Sequence, residues 1–466
     1  MKFIDIILSK WLVFFSIVGF AVVVITIFLY PGKLVPNQII AVSENEVVIL
    51  DCFYIKPGGK LLSIQKQKDG QWSLVQSTDL KKLGINRIPE KCVFNHQWLV
   101  ITSDLVRDRN ESVYFLKKKD NQWYFVEERH GDYRRGIDIT DDNQLIINDA
   151  FIKRPGVVEC YDLNYSSPKL VQTIEKPIEI ASSDSHSFGT EIYVHEDTLL
   201  VKDSDATFTP EEEIRYGLKP EEKAFRVTPS QMQYSNRSTA LMYGKKNGQW
   251  VFEADLYHLL PHPKGGAIRN RYGHLECFSY SFFNTKNTTL AGNDVYLRGS
   301  RCYYVFSKNR QGKWYFKQSL TPPFKLEDRI PEERGIRLFF EYITIGAKWT
   351  GRTFEDDKIE IYETKLLDSW KPRWTFHFVP TSVKNEILQI TKNAAFGFKD
   401  LHIRGDVIVA EYNMKSAYDR KTLWWKVPTK RMVCIFEVDS ENGPQEVFQL
   451  RAVGKKGLTS YLKTGQ

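Results

Sequence analysis

The sequence predicts an all-β chain: a seven-bladed β-propeller with four antiparallel strands per blade, preceded by one N-terminal transmembrane helix. Three observations predict it. An uncharged run occupies residues 11–30, a turn-plus-tryptophan signature returns four times, and a second strand–turn–strand pattern stands ahead of the hairpins that carry it.

The chain has 466 residues, of which 42% are hydrophobic, 14% aromatic and 26% charged. That is too apolar for a disordered chain, and Gly and Pro are too few for a fibrous one. The 65 basic residues exceed the 57 acidic ones by eight and are scattered. Nucleic-acid binding calls for a basic stripe and an RNA or DNA motif, and the sequence has neither, so no nucleic-acid partner is expected.

Trp11 to Tyr30 reads WLVFFSIVGFAVVVITIFLY. Twenty residues of helix at 1.5 Å rise span about 30 Å, the hydrocarbon thickness of a bilayer. A buried core helix rarely runs so far without a charge, and the mean hydropathy of the whole chain is −0.38. Lys2 and Lys10 also suit the basic start of a cleaved signal peptide. Such peptides, however, have shorter apolar regions and end in a small-x-small site, whereas Pro31-Gly32-Lys33 follows here. The expected organisation is an anchor over 1–34, a propeller over 35–455 and a tail over 456–466. Lys2, Lys10 and the amino terminus outweigh Lys33 on the far side, which places the N-terminus in the cytoplasm and the bulk outside it, periplasmic or extracellular.

Asp69-Gly70-Gln71-Trp72, Asp120-Asn121-Gln122-Trp123, Asn247-Gly248-Gln249-Trp250 and Gln311-Gly312-Lys313-Trp314 each separate two apolar runs. Asn-Gly and Asp-Gly accept positive φ at little cost, so these are hairpin turns. Weaker copies put the tryptophan-equivalent positions near 72, 123, 170, 250, 314, 374 and 446. Upstream pairs such as Ile137–Ile139 with Leu145–Ile147, and Leu401–Ile403 with Val407–Val409, complete four strands per unit. Tyr303-Tyr304-Val305-Phe306 is apolar on both faces, as an inner strand packed between two neighbouring sheets requires. Tandem β-sandwiches would also give short strands, but they do not require one hairpin signature to return at the same place in each unit.

Phe188-Gly189 through Ile192-Tyr193-Val194 to Leu199-Leu200-Val201, and Phe396-Gly397 through Leu401-His402-Ile403 to Val407-Ile408-Val409, resemble the first half of FG-GAP repeats. Tyr304-Val305-Phe306 to Trp314 is similar to the second half. That resemblance implies an integrin-alpha-type seven-bladed propeller and a binding role. The family's calcium loop is not matched: Asp203-Ser204-Asp205 and Asp141-Asp142-Asn143 are fragments of it, so calcium is not implied.

Insertions in repeat folds map to loops that often form one binding face. One runs from Asp203 to about Arg237, and Thr209-Pro210-Glu211-Glu212-Glu213 predicts a helix start there. Another holds Arg420, Lys421, Trp424, Trp425, Lys430 and Arg431, the candidate contact residues. Indoles suit a membrane interface or a sugar face, and the cations attract phosphates or acidic glycans. The alternative is that the pair sits in a strand with one ring in the core. The loop with His258 and His262, and nearby His274, is no metal motif: zinc ligands come as a full set with orienting acids, and Pro261 and Pro263 argue for an irregular loop, so neither a metal nor another cofactor is expected. No Gly-rich phosphate loop or Gly-x-Ser-x-Gly elbow occurs.

Of the six cysteines, Cys160, Cys302 and Cys434 read as small core residues, and Cys277 with Cys302 is the best candidate bridge. The expected function is a membrane-anchored module that binds an envelope protein or polysaccharide, its bilayer contact made through residues 11–30. The alternative is a glycan hydrolase or lyase, which requires two or three carboxylates about 5–10 Å apart among aromatics at one channel mouth.

Overall fold

The computed structural model describes residues 36–452 except 54–56, 105–110, 132, 150–156, 178–187, 207–213, 215–236, 262–287, 292, 299–301, 321–335, 340–341, 346–357, 364–373, 378–393, 417–429 and 440. Among them no helix is long and apolar enough to cross a membrane. The run at 11–30, the expected helix at Thr209–Glu213, His262, His274 and Cys277 lie outside the described residues.

Among the described residues, twenty-eight strands form seven four-stranded antiparallel sheets, each built from four consecutive strands. Sheet 1 holds β1 (Pro36–Val42), β2 (Glu46–Phe53), β3 (Gly59–Lys66) and β4 (Trp72–Asp79). Sheet 2 holds β5 (Ile88–Phe94), β6 (Trp98–Asp104), β7 (Glu111–Lys119) and β8 (Gln122–Gly131). In sheet 3 are β9 (Tyr133–Ile139), β10 (Gln144–Asp149), β11 (Val157–Asp162) and β12 (Lys169–Ile174). In sheet 4 are β13 (Phe188–His195), β14 (Thr198–Ala206), β15 (Arg237–Lys246) and β16 (Gln249–Asp255). Sheet 5 comprises β17 (Thr288–Ala291), β18 (Asp294–Arg298), β19 (Tyr303–Lys308) and β20 (Trp314–Leu320). Sheet 6 comprises β21 (Ile336–Phe339), β22 (Tyr342–Ile345), β23 (Lys358–Glu363) and β24 (Trp374–His377). Sheet 7 comprises β25 (Ala394–Arg404), β26 (Val407–Ser416), β27 (Lys430–Asp439) and β28 (Gly443–Ala452).

The sheets stack through apolar faces. Leu50 and Cys52 meet Cys92 and Ile101 between sheets 1 and 2, and Val100 and Phe115 meet Ile137 and Leu145 between sheets 2 and 3. Ile146 and Cys160 meet Ile192 and Leu241 between sheets 3 and 4, and Leu200 and Met242 meet Val295 and Phe306 between sheets 4 and 5. Ile40, Val47 and Ile49 of sheet 1 pack on Val407, Val409 and Ile435 of sheet 7. The first strands touch in succession, β1 to β5, β5 to β9, β9 to β13, β13 to β17 and β17 to β21, while β25 lies against β1. This is a β-propeller architecture, in which each sheet hides both faces against its neighbours.

A bulge recurs in the outer hairpin of six sheets, at residues 63/64, 115/116, 160/161, 242/243, 305/306 and 435/436 of the third strands. It registers the repeat and corrects two expected positions. Leu170 and Glu446 stand two residues past the indole's place, which Pro168 and Pro444 occupy, because Tyr161↔Leu170 and Phe436↔Glu446 correspond to Tyr243↔Phe252. Leu170 is accordingly exposed. The bulge also kinks the outer edge strand, which discourages pairing with another chain.

Each indole reaches back to the preceding sheet. Trp123 Nε1 donates to Glu46 Oε1 at 3.0 Å, Trp250 Nε1 to Gln144 Oε1 at 2.7 Å, Trp314 Nε1 to Glu253 Oε2 at 2.9 Å and Trp72 Nε1 to Glu437 Oε1 at 2.7 Å. The lysine paired across the hairpin joins the clasp. Lys118 binds Glu46 at 2.5 Å, Lys308 binds Glu253 at 2.8 Å and Lys66 binds Glu437 at 2.7 Å, while Lys245 takes Asp142 at 2.5 Å. Lys118, Lys245 and Lys308 lie 5.2, 5.5 and 5.7 Å from their indole centroids, within cation–π range. These lysines, at the ends of the third strands, were missed in reading the sequence. The signal was present: a lysine stands five or six residues before each of the four tryptophans.

Sheets 3 and 4 approach closely at their first strands. Gly189 has φ +82°, and a Cβ there would lie 2.8 Å from Val158 Cγ2 and 2.9 Å from Asn148 Nδ2. Its neighbour Phe188 is fully buried and its carbonyl accepts from Asn148 Nδ2 at 2.6 Å. The glycine of the Phe-Gly motif is therefore a backbone requirement. Gly189→Ala is expected to cost about 1–3 kcal/mol, read as a lower denaturant midpoint; an unchanged midpoint would show that the strand relaxes freely.

Candidate functional site

The first strands of sheets 2, 3 and 4 bring charged side chains together. Lys91 on β5 extends toward sheet 3, where its Nζ donates to Ile137 O at 3.2 Å. Desolvation pulls its ammonium below the ordinary lysine pKa, while Asp138 on β9, Glu191 on β13 and Glu90 act in the opposite direction. Asp138 Oδ2 accepts from Val194 N at 2.8 Å, which ties β9 to β13, and Oδ1 accepts from Ile139 N at 2.9 Å. Glu191 pairs with Lys202 at 3.0 Å and accepts from Tyr193 Oη at 2.8 Å. Lys176, after β12, pairs with Asp203 on β14 at 2.5 Å, with side chains 3% and 0% exposed.

Lys91 thus faces Asp138 and Glu191 where sheets 2, 3 and 4 adjoin, and Lys176 with Asp203 forms a separate buried pair between sheets 3 and 4. Each carboxylate already accepts from a lysine or from backbone N–H groups. Acids engaged in this way hold sheets in register; they are not poised as the spaced acid and base that glycosidic cleavage uses.

Connection lengths distinguish the two ends of the sheets. The first-to-second strand connections are short, from 196–197 to 140–143, and the third-to-fourth connections include the two-residue turns 120–121 and 247–248. Asp120, Asn121, Asn247 and Gly248 there all have positive φ, as the sequence predicts. The longest connections, 175–187, 207–236, 256–287, 321–335, 346–357, 378–393 and 417–429, all join second to third strands or one sheet to the next, while the longest at the other end is the third-to-fourth connection 364–373. In an antiparallel four-stranded unit those two classes leave from the same end, which is also where β1 begins at Pro36.

Of the expected contact residues, Arg420, Lys421, Trp424 and Trp425 lie outside the described residues. Lys430 and Arg431 do not belong to the loop. They open β27, an interior strand, with Lys430 opposite Met414 and Arg431 opposite Asn413 and Ala452. The apolar run Met432–Phe436 is what draws the ladder back to them. His258 lies in a short 3₁₀ turn, its Nδ1 3.8 Å from Asp255 Oδ2. No group of three or more His, Cys, Asp or Glu among the described residues is arranged to hold a metal.

No family model matches the chain, and no curated protein matches it. Similar solved structures include a prolyl endopeptidase, 10% identical with a TM-score of 0.49, over 90% of this chain and 50% of that one. The chain therefore spans about half the length of that endopeptidase. The β-propeller domain of the Trilobed protease from Pyrococcus furiosus is 8% identical with a TM-score of 0.42, over 89% of this chain and 98% of that one. Hsv2 from Kluyveromyces lactis is 8% identical with a TM-score of 0.40, over 89% and 99%.

Proposed function

We propose that the chain is a membrane-anchored, FG-GAP-like propeller of seven blades that works outside the cytoplasm as a binding module for an envelope protein or polysaccharide. The observation that carries this reading is the asymmetry of the connections. The long ones share the end of the sheets at which β1 begins; with residues 11–30 read as the anchor, that end is the one nearer the bilayer. Between the apolar run and Pro36 lie residues 31–35, a reach of at most about 17 Å when fully extended. On this reading the binding face looks toward the bilayer and its partner is membrane-proximal. The commitment of Asp138, Glu191 and Asp203 to lysines and backbone amides supports binding over hydrolysis.

On this reading the contact residues are Arg420, Lys421, Trp424 and Trp425 of the connection 417–429, together with Lys430 and Arg431, which open the strand that follows it. A pull-down from detergent-solubilised membranes with the full chain, and vesicle flotation beside it, test the assignment. Trp424→Ala with Trp425→Ala is expected to weaken partner or membrane association severalfold with an unchanged melting temperature. A fall of several degrees in melting would put the pair in the core and remove it from the binding face.

A further inference from the structure

Cys52 and Cys92 are brought together by the fold from different sheets. Cys52 lies near the end of β2, opposite Asn37 and Gly59, and Cys92 lies on β5, opposite Ile101. β2 and β5 lie against one another where sheets 1 and 2 stack. Both side chains belong to one apolar cluster, walled by Leu50, Leu61, Leu99 and Ile101, and are 0% and 5% exposed. The other described cysteines are elsewhere: Cys160 is between sheets 3 and 4, Cys302 lies against the cluster of sheets 4 and 5, and Cys434 is buried on β27 in sheet 7. Among the described residues, only Cys52 and Cys92 share a cluster.

We propose that Cys52 and Cys92 are a disulfide pair that ties sheet 1 to sheet 2 when the chain folds in an oxidising compartment. The inference rests on the reading that the propeller lies outside the cytoplasm, where disulfides persist. The step needs a disulfide carrier, either oxidised glutathione or a thiol–disulfide oxidoreductase. The Cys92 thiolate attacks the carrier's disulfide and expels one carrier thiolate, forming a mixed disulfide. The Cys52 thiolate then attacks the Cys92 sulfur and expels the second. Two protein thiols are oxidised, one carrier disulfide is reduced to two thiols, and the two protons given up by the protein thiols are balanced by the two that the expelled carrier thiolates take up.

The structure also sets the timing. With the sheets stacked, burial, and after it the neighbouring Cys52, push the Cys92 thiol up to about 12, so almost none of it is thiolate at neutral pH. The structure holds both residues as thiols, so the proposed bond would have to close during folding, before the interface dries. The bridge also differs from the Cys277–Cys302 pairing expected from the sequence: it joins two sheets rather than two positions within one unit.

The full chain, exported and purified in detergent, is denatured in excess alkylating reagent without reductant, digested and analysed by mass spectrometry. The expected product is one linked peptide pair containing Cys52 and Cys92, both sites escaping label. A parallel sample of the full chain is refolded in a glutathione redox buffer. A bridge in both samples supports the pair and the location. A bridge in the buffer alone supports the pair and overturns the extracytoplasmic reading, and alkylation of both sites in both samples overturns the pair. Cys52→Ser should leave Cys92 fully alkylated, with no new link to Cys160, Cys302 or Cys434; a new link would show that the pairing is not dictated by the stacking.

Discussion

Glu46→Ala is expected to destabilise the protein by about 3–5 kcal/mol. Glu46 opens β2 and is 4% exposed. Its Oε1 accepts from Ser63 Oγ at 2.6 Å, Gln65 Nε2 at 3.1 Å and Trp123 Nε1 at 3.0 Å, and its Oε2 takes the Lys118 ammonium at 2.5 Å. Removing the carboxylate strands the half-buried Lys118 cation and the buried Trp123 indole N–H together, and an orphaned buried partner costs more than a hydrogen bond contributes when made. Urea titration of the purified full chain measures it. Glu46→Gln separates the contributions: it keeps an acceptor for Trp123 while removing the charge, so it should fall between wild type and Glu46→Ala. Equal losses for both would show that the ion pair with Lys118 dominates; no loss for either would remove the clasp as a stabilising device.

Trp72→Ala is expected to cost about 3–5 kcal/mol and to loosen the seam between the first and last sheets ahead of the rest of the molecule. No strand is shared across that seam, because β1–β4 and β25–β28 are each consecutive. It is held by the apolar cluster of Ile40, Ile49, Leu62, Val409, Val433 and Ile435, by the indole hydrogen bond to Glu437, and by the Lys66–Glu437 ion pair. Lys66 and Glu437 are 33% and 26% exposed, so solvent screens their attraction and the ring's burial supplies most of the effect. Amide exchange should accelerate first in β3, β4, β27 and β28. Uniform acceleration across all sheets would mean that the seam unfolds only with the whole protein. Glu437→Gln should cost much less, since it retains an acceptor for the indole.

Much of the architecture was legible because a blade hides both faces and repeats itself. The apolar runs Leu61–Ile64, Val113–Leu116, Ala240–Tyr243 and Tyr303–Phe306 all lie in third strands. The Asn-Gly and Asp-Gly signatures announced their turns because positive φ is a local property of the residues. What misled was spacing alone. Pro168 and Pro444 take the indole's place in sheets 3 and 7, and only the bulge in the ladder identifies them. Lys430 and Arg431 read as loop cations beside Trp424 and Trp425, yet they pair within β27, because a strand extends as far as its neighbours offer partners.

The candidate site was less legible still. Lys91, Asp138, Glu191, Lys202, Lys176 and Asp203 are scattered through the sequence among 122 charged residues, 65 basic and 57 acidic. Nothing local marks them: the Lys176–Asp203 pair and the Asp138–Val194 hydrogen bond run between sheets 3 and 4, and Glu191 and Lys202 meet across neighbouring strands of sheet 4. The same holds for Cys52 and Cys92, which become neighbours only when two blades stack.

By itself the sequence determined the strand content, the hairpin turns and the sheet repeat, since alternation, turn chemistry and periodicity act over a few residues. Only the tertiary structure decided which charges neutralise one another, which acid each indole finds, which thiols meet and on which end the long connections gather. Those are contacts between different sheets, and their partners are chosen by stacking, in which the blade, not the residue, is the unit that moves.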